Sequence, residues 1–302
     1  MNPLHLVRAL RPHQWVKNVF VLSALVFALG ESGLEADGVA ERIVRVAFAV
    51  GAFCLGASAI YLVNDVVDVE SDRQHPKKRT RPIAAGQVSV PAALLAAVAC
   101  VAGSFALALQ ATPEGGKSVA LVVGAYMASN LCYSLKLKQI EIVDAFLIAF
   151  GFLLRVVGGA YAADAPISHW LLLSTLFLAL FLAFCKRRAE MDLLGDDASS
   201  HRKNLGAYTP EFLSQATTVL AGCAIITYSM YTVDGETMAK FGSDGLMWTV
   251  PFVVFGLFRY LLLVERQEGG GSPTRVLLGG DPIFVLNGLT WAAFVGWFLF
   301  LR

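Results

Sequence analysis

The sequence predicts an all-α, polytopic membrane protein of nine transmembrane helices. Three observations predict it. The 302-residue chain is 56% hydrophobic and only 16% charged, against roughly 25% charged residues in soluble domains. Apolar runs approaching the bilayer core of about 30 Å recur along its whole length. Lys and Arg concentrate on alternate connections between those runs, as in a chain threaded through a membrane.

The runs lie at about 16–30, 42–63, 91–111, 118–134, 140–162, 168–186, 210–232, 246–264 and 282–301. The first is short, so it begins earlier or tilts. The junction near 134–140 is tight and predicts a helical hairpin of the fourth and fifth runs. No soluble domain fits between the runs, so residues 1–302 are expected to form a single transmembrane domain. With the N-terminus in the cytoplasm, inner segments carry seventeen Lys and Arg; outer ones carry four, Arg42, Lys117, Lys240 and Arg302. That bias expects a multi-pass protein of the plasma membrane, with its polar clusters facing the cytoplasm and its C-terminus outside. Glu268–Pro273 reads as a flexible inner linker.

Net charge is +1, which argues against nucleic acid as a partner. The five cysteines lie in or beside apolar runs without CxxC spacing, so they read as small reduced hydrophobes. No nucleophile elbow, Walker loop or zinc helix is present, and hydrolase, ATPase and metalloprotease readings have no support.

The most polar stretch is Asn64–Gly86, NDVVDVESDRQHPKKRTRPIAAG. Asp65, Asp68 and Asp72 stand at i, i+3 and i+7, within roughly 60° of one another on a helix. Asn64, Asp68 and Asp72 form an i, i+4, i+8 ridge. Carboxylates so placed repel unless a cation lies between them, and oxygen ligands suit Mg²⁺. Arg73, Lys77, Lys78, Arg79 and Arg81 follow at once. Carboxylates for a metal, then cations for phosphate oxygens, are what a magnesium diphosphate site needs. The basic run alone serves equally well as a mark of the cytoplasmic side.

Other polar clusters fall on the same side. In Arg11–Asn18, RPHQWVKN, the residues Arg11, Lys17 and Asn18 are placed to reach a phosphate, with Trp15 as an interfacial anchor. Lys17 alone is more often an orientation residue than a ligand. Tyr133–Lys138, YSLKLK, sets Tyr133, Lys136 and Lys138 in one tight turn. Asp144 is costly in lipid and should face the bundle interior; Arg155, deeper in the same run, is either a ligand or a structural cation. Lys186, Arg187, Arg188 and Glu190 end the sixth run, to complete a pocket or to bind lipid headgroups. His201 and Arg202 are weaker candidates.

The pattern N-D-x-x-D-x-x-x-D followed by D-R…R-P-x-x-x-G, here Asn64, Asp65, Asp68, Asp72, Arg73, Arg81, Pro82 and Gly86, resembles the UbiA superfamily of intramembrane prenyltransferases. RPHQWVKN, YSLKLKQIEIVD and LLRVVGGAY resemble its mycobacterial-type branch that transfers phosphoribose to decaprenyl phosphate. The resemblance covers essentially the full chain. It implies a UbiA-type bundle with a cytoplasm-facing central cavity. It also implies transfer of 5-phosphoribose from 5-phosphoribosyl 1-diphosphate to a polyprenyl phosphate, for cell-wall arabinan synthesis. Mg²⁺ would sit at Asn64, Asp65, Asp68 and Asp72. Arg73, Lys78, Arg81, Tyr133 and Lys136 would meet phosphates, and Arg187, Arg188 and Glu190 the ribose 5-phosphate. Most superfamily relatives carry a second aspartate motif after the sixth helix. This chain has Lys186–Glu190 there, with Asp192 and Asp196 later, as a donor with a second anionic end would require. The competing readings are a prenyltransferase with an aromatic acceptor and a cation transporter. A homo-oligomer is compatible with the sequence, and nothing in it selects one.

Overall fold

The computed structural model describes residues 3–32, 38–75, 78–114, 116–194, 206–241, 244–266, 276 and 280–300. Lys77, the 268–273 linker, Asp196, His201, Arg202, Lys203 and Arg275 lie outside them. Among the described residues every regular element is helical. In chain order the α-helices are α1 (Pro3–Leu10), α2 (Ser23–Ser32), α3 (Val39–Val67), α4 (Val69–Gln74), α5 (Val90–Gln110) and α6 (Val119–Leu135). They continue as α7 (Val143–Ala162), α8 (His169–Leu194), α9 (Pro210–Val233), α10 (Gly235–Phe241), α11 (Val250–Glu265) and α12 (Pro282–Phe300).

Among the described residues seven helices are long and apolar enough to cross a membrane: α3, α5, α7, α8, α9, α11 with its 3₁₀ lead-in, and α12. α6 is apolar but has only 17 residues. The first predicted run is divided. Pro12–Leu22 is a 3₁₀ helix and Ser23–Ser32 is α-helical. Eleven residues of 3₁₀ helix is unusually long. Close packing accompanies it, because a Cβ at Gly159 of α7 would stand 1.9 Å from the Val21 carbonyl oxygen.

The chain divides into two compact units that alternate along the sequence. One comprises Met1–Leu25, Ala40–Ser134 and Leu154–Ala165; the other comprises Val26–Val39, Leu135–Leu153 and Pro166–Arg302.

In the first unit α3 is flanked by small residues. Between helices in lipid there is little hydrophobic drive, so close approach and hydrogen bonds do the holding. Ser104 of α5 donates to the Ala52 carbonyl at 2.7 Å, and a Cβ at Gly56 would come 3.1 Å from that hydroxyl. Phe53 meets Tyr126 of α6 edge-on at 5.3 Å. At the end of α3, Ala9, Leu62, Ile83, Val88, Ala93 and Ala97 form one buried cluster. It joins α1, α3, the 81–88 turn and α5. Gly86 has φ +72°, a left-handed conformation that suits glycine, and it lets the chain turn so that Val88 is buried.

In the second unit α8 packs on α9 and α11 through Phe181, Cys185, Ala221, Ala224, Leu257 and Tyr260. A second cluster joins Ala145 and Ala149 of α7 to Phe184, Tyr208 and Leu213. Helix starts are fixed by local caps. Thr209 accepts from the Phe212 N–H at 3.1 Å, and Pro210 opens α9. Asp281 accepts from the Phe284 N–H at 2.7 Å and pairs with Arg259 at 2.7 Å.

Candidate active site

The Asn64–Gly86 stretch begins on the last turn of α3. The helix is interrupted at Asp68, with φ −89° and ψ 7°, and resumes as α4. The hydrogen-bond ladder crosses the interruption: Asp68 N–H donates to Asn64 O and Asp72 N–H to Asp68 O, both at 2.8 Å. The predicted i, i+4, i+8 ridge of Asn64, Asp68 and Asp72 therefore keeps its helical spacing.

The acids differ in surroundings. Asp65 and Asp72 are buried, at 2% and 1% exposure, and Asn64 and Asp68 are half-buried. The Arg81 Nη1 donates to Asp65 Oδ1 at 3.0 Å and to Asp72 Oδ2 at 2.6 Å. The Arg11 Nη2 reaches the same Asp65 Oδ1 at 2.5 Å. Arg11 is also stacked over Tyr61, 5.0 Å from the ring centre. Its backbone lies at φ 54° and ψ 57°, uncommon outside glycine. The carbonyl before it is held by Ser58, which donates to Leu10 O at 2.9 Å and accepts from the Trp15 indole at 3.1 Å. Trp15 is thus a strut of this corner.

Arg73 and Lys78 take outward positions. Arg73 pairs with Glu70 at 2.9 Å and donates to the Ala84 carbonyl at 3.3 Å, tying α4 to the following turn. Lys78 is exposed, and its N–H donates to His75 Nδ1 at 3.3 Å.

Deeper in the first unit, Arg155 is buried. It donates to Asn18 Oδ1 at 2.7 Å and to the Tyr126 hydroxyl at 2.8 Å, with the guanidinium 4.6 Å from the Tyr126 ring centre. Asn18 in turn donates to Cys54 Sγ at 3.0 Å. Lys17 is half-buried in the same segment, as is Tyr133 at the end of α6. Tyr126 and Cys54 carry no motif signal, and only the fold shows their part in this chain of contacts.

The second unit holds the remaining candidates. Asp144 is fully buried, as its cost in lipid required, and Arg187, 1% exposed, bonds its Oδ2 through Nε at 2.9 Å. Arg187 also bonds Glu190 at 2.9 Å. Arg188 lies 3.2 Å from Asp192 and donates to the Pro210 carbonyl at 2.8 Å. Lys186 is half exposed and 3.8 Å from Glu190. Lys136 is exposed and Lys138 half-buried. Just beyond them Ile142 adopts φ 63°, and its N–H donates to the Tyr208 hydroxyl at 2.5 Å. Burial pushes the Tyr208 phenol above its usual pKa.

Asn64, Asp68 and Asp72 supply the hard oxygens a divalent cation prefers, so this donor set fits Mg²⁺. Among the described residues no three His, Cys, Asp or Glu side chains are already gathered as a metal cluster. In this structure arginine meets the charge of Asp65 and Asp72.

Fold and site together define the class: a polytopic helical membrane protein with a buried aspartate–arginine cluster at the end of a spanning helix. The chain belongs to the UbiA prenyltransferase family, whose model matches residues 20–288. It is 40% identical over 290 residues to a decaprenyl-phosphate phosphoribosyltransferase of Corynebacterium glutamicum, covering 95% of this chain and 84% of that protein. It is 38% identical over 292 residues to the enzyme of that name from Mycobacterium tuberculosis, covering 96% and 92%. Among solved structures, a UbiA homolog from Archaeoglobus fulgidus bound to GPP and Mg²⁺ superposes with a TM-score of 0.69 at 17% identity, covering 97% of this chain and 98% of that one.

Proposed function

We propose that this chain transfers 5-phosphoribose from 5-phosphoribosyl 1-diphosphate to a polyprenyl phosphate, decaprenyl phosphate by preference, and releases diphosphate. The observation that carries this reading is 38% identity, over 96% of the chain, to a decaprenyl-phosphate phosphoribosyltransferase. The family match over 20–288 runs through both compact units and supports treating 1–302 as one functional domain.

The acceptor is a phosphate monoester, already anionic near neutral pH, so no Ser–His pair is needed to activate it. One acceptor oxygen bonds to ribose C1 as the bond from C1 to the diphosphate oxygen breaks. The barrier lies in the charge that gathers on the leaving group and in the oxocarbenium character of the ribose. Asn64, Asp68 and Asp72 would hold Mg²⁺, which supplies neutralisation of the departing diphosphate when bound. Arg81, already beside Asp72, binds diphosphate oxygens. Lys17, Asn18 and Arg155 serve the acceptor phosphate, with Tyr133, Lys136 and Lys138 as further phosphate contacts. Lys78 and Arg73, on the exposed side, draw the anionic donor in. Lys186 and Arg188 take the ribose 5-phosphate, and Arg187 with Glu190 orients that segment.

Crossings by α6 and by the divided first run would add to the seven long spans to make nine. The inside excess of Lys and Arg supports a plasma-membrane protein with Asn64–Gly86 facing the cytoplasm. The polyprenyl tail remains in the lipid.

The test is donor choice by the purified protein with polyprenyl phosphate present. Label should pass from phosphoribosyl diphosphate to the lipid. Transfer of label only from a prenyl diphosphate to an aromatic acceptor would replace this reading with the ordinary prenyltransferase one. Metal flux into vesicles with no lipid product would replace it with transport.

A further inference from the structure

We infer that Asp65 is a positioning residue, which holds Arg11 and Arg81 for the diphosphate and stays off the metal. The inference rests on the diphosphate reading above and assigns Asp65 a different task within it. A single oxygen of Asp65, on a carboxylate 2% exposed, takes Arg11 at 2.5 Å and Arg81 at 3.0 Å. Arg81 is shared with Asp72, so the two guanidiniums balance two carboxylates. A cation at this Asp65 oxygen would have to displace Arg11 or Arg81, whereas a metal that takes over Asp72 leaves both guanidiniums facing one carboxylate, and an anion is then attracted. Asp72 stands differently. Its bonded guanidinium at 2.6 Å is Arg81, which Asp65 also holds. Asp72 can therefore turn to a metal while Arg81 keeps its carboxylate.

The hold on Arg11 is built from several sides. Arg11 occupies the left-handed region at φ 54°, which a non-glycine residue keeps only where its surroundings fix it. Tyr61 lies under its guanidinium at 5.0 Å, and Ser58 fixes the preceding carbonyl at 2.9 Å. These contacts bring the N-terminal segment to Asp65, 54 residues further along the chain. A metal ligand has no use for such scaffolding around a cation. A guanidinium aimed at an anion does.

The experiment is binding of inorganic diphosphate to the purified full-length protein, in EDTA and then in Mg²⁺, by calorimetry. If Asp65 were a metal ligand, removing its charge would relieve repulsion, and Asp65→Asn would bind metal-free diphosphate as well as or better than wild type. We expect the opposite sign. Asp65→Asn should weaken metal-free binding roughly 10- to 150-fold, the span of a lost charge-assisted contact. Asp68→Asn should not weaken it. In calorimetry with diphosphate present, the half-saturating Mg²⁺ concentration should rise for Asp68→Asn and stay within about two-fold of wild type for Asp65→Asn. Arg11→Gln leaves every carboxylate in place and should reproduce the Asp65→Asn loss, with Arg11→Lys restoring part of it. If Asp65→Asn does not fold, Arg11→Gln decides alone: unchanged metal-free binding overturns the inference. Wild type that binds no metal-free diphosphate overturns it too. In that case continued Mg²⁺-dependent transfer from phosphoribosyl diphosphate leaves the functional reading standing, and no transfer removes both.

Discussion

Arg187 and Asp144 form the most deeply buried ion pair described in the second unit, at 1% and 0% side-chain exposure. Its removal is a sharp test of how that unit is held. Arg187→Ala leaves the Asp144 carboxylate without its guanidinium in a site closed to water. Breaking one side of such a pair costs about 3–5 kcal/mol. For a chain of this size that lowers the unfolding midpoint by on the order of 10 °C. Asp144→Ala should cost a similar amount, because it strands the arginine. The double change Asp144→Leu with Arg187→Met removes both charges and should recover most of the loss. The assay is thermal unfolding in lipid nanodiscs, read as a double-mutant cycle with Asp144→Ala/Arg187→Ala as the double variant. Single-variant losses that are small and simply additive would refute the reasoning. The pair would then be incidental, and Arg187 would be available to hold substrate directly.

Other outcomes follow from the same structure. Asp68→Asn and Asp72→Asn should each abolish transfer while the folded protein stays in the membrane; near-normal turnover in both at limiting Mg²⁺ would end the metal role. Arg188→Ala should weaken phosphoribosyl diphosphate roughly 10- to 150-fold with little effect on free diphosphate, since a charge-assisted phosphate contact is lost at one end only; equal losses for both ligands would return Arg188 to the scaffold. A cysteine introduced at position 78 should resist an impermeant thiol reagent added outside intact cells, and labelling there would reverse the topology. Gly159→Ala should destabilise the protein, because the new methyl would meet the Val21 carbonyl oxygen at 1.9 Å; unchanged unfolding would show that the first segment moves aside freely.

Much of the site was legible because it is local. Helical spacing placed Asn64, Asp68 and Asp72 on one ridge, and hydrogen bonds across the Asp68 interruption preserve it. Apolar run length located the long spans, and the cost of a carboxylate in lipid placed Asp144 inside. Partners distant in sequence were not legible. No periodicity joins Arg11 to Asp65, Arg155 to Tyr126 or Tyr208 to Ile142, since each pair meets only through packing. The split of the first run was also hidden. Its composition suits one short span, while its close seat on Gly159 is visible only in three dimensions. The basic cluster after the sixth run looked uniform in sequence, but burial separates Arg187, locked to Asp144 and Glu190, from the half-exposed Lys186.

The most direct test of the central claim, that Asn64–Gly86 is the diphosphate end of a phosphoribosyl transfer site, is an experimental structure with phosphoribosyl diphosphate and Mg²⁺ bound. The account predicts metal density at Asp68 and Asp72, diphosphate against Arg81, and Arg11 still on Asp65. Diphosphate density away from this stretch, or metal density on Asp65 with Arg11 displaced, would contradict it.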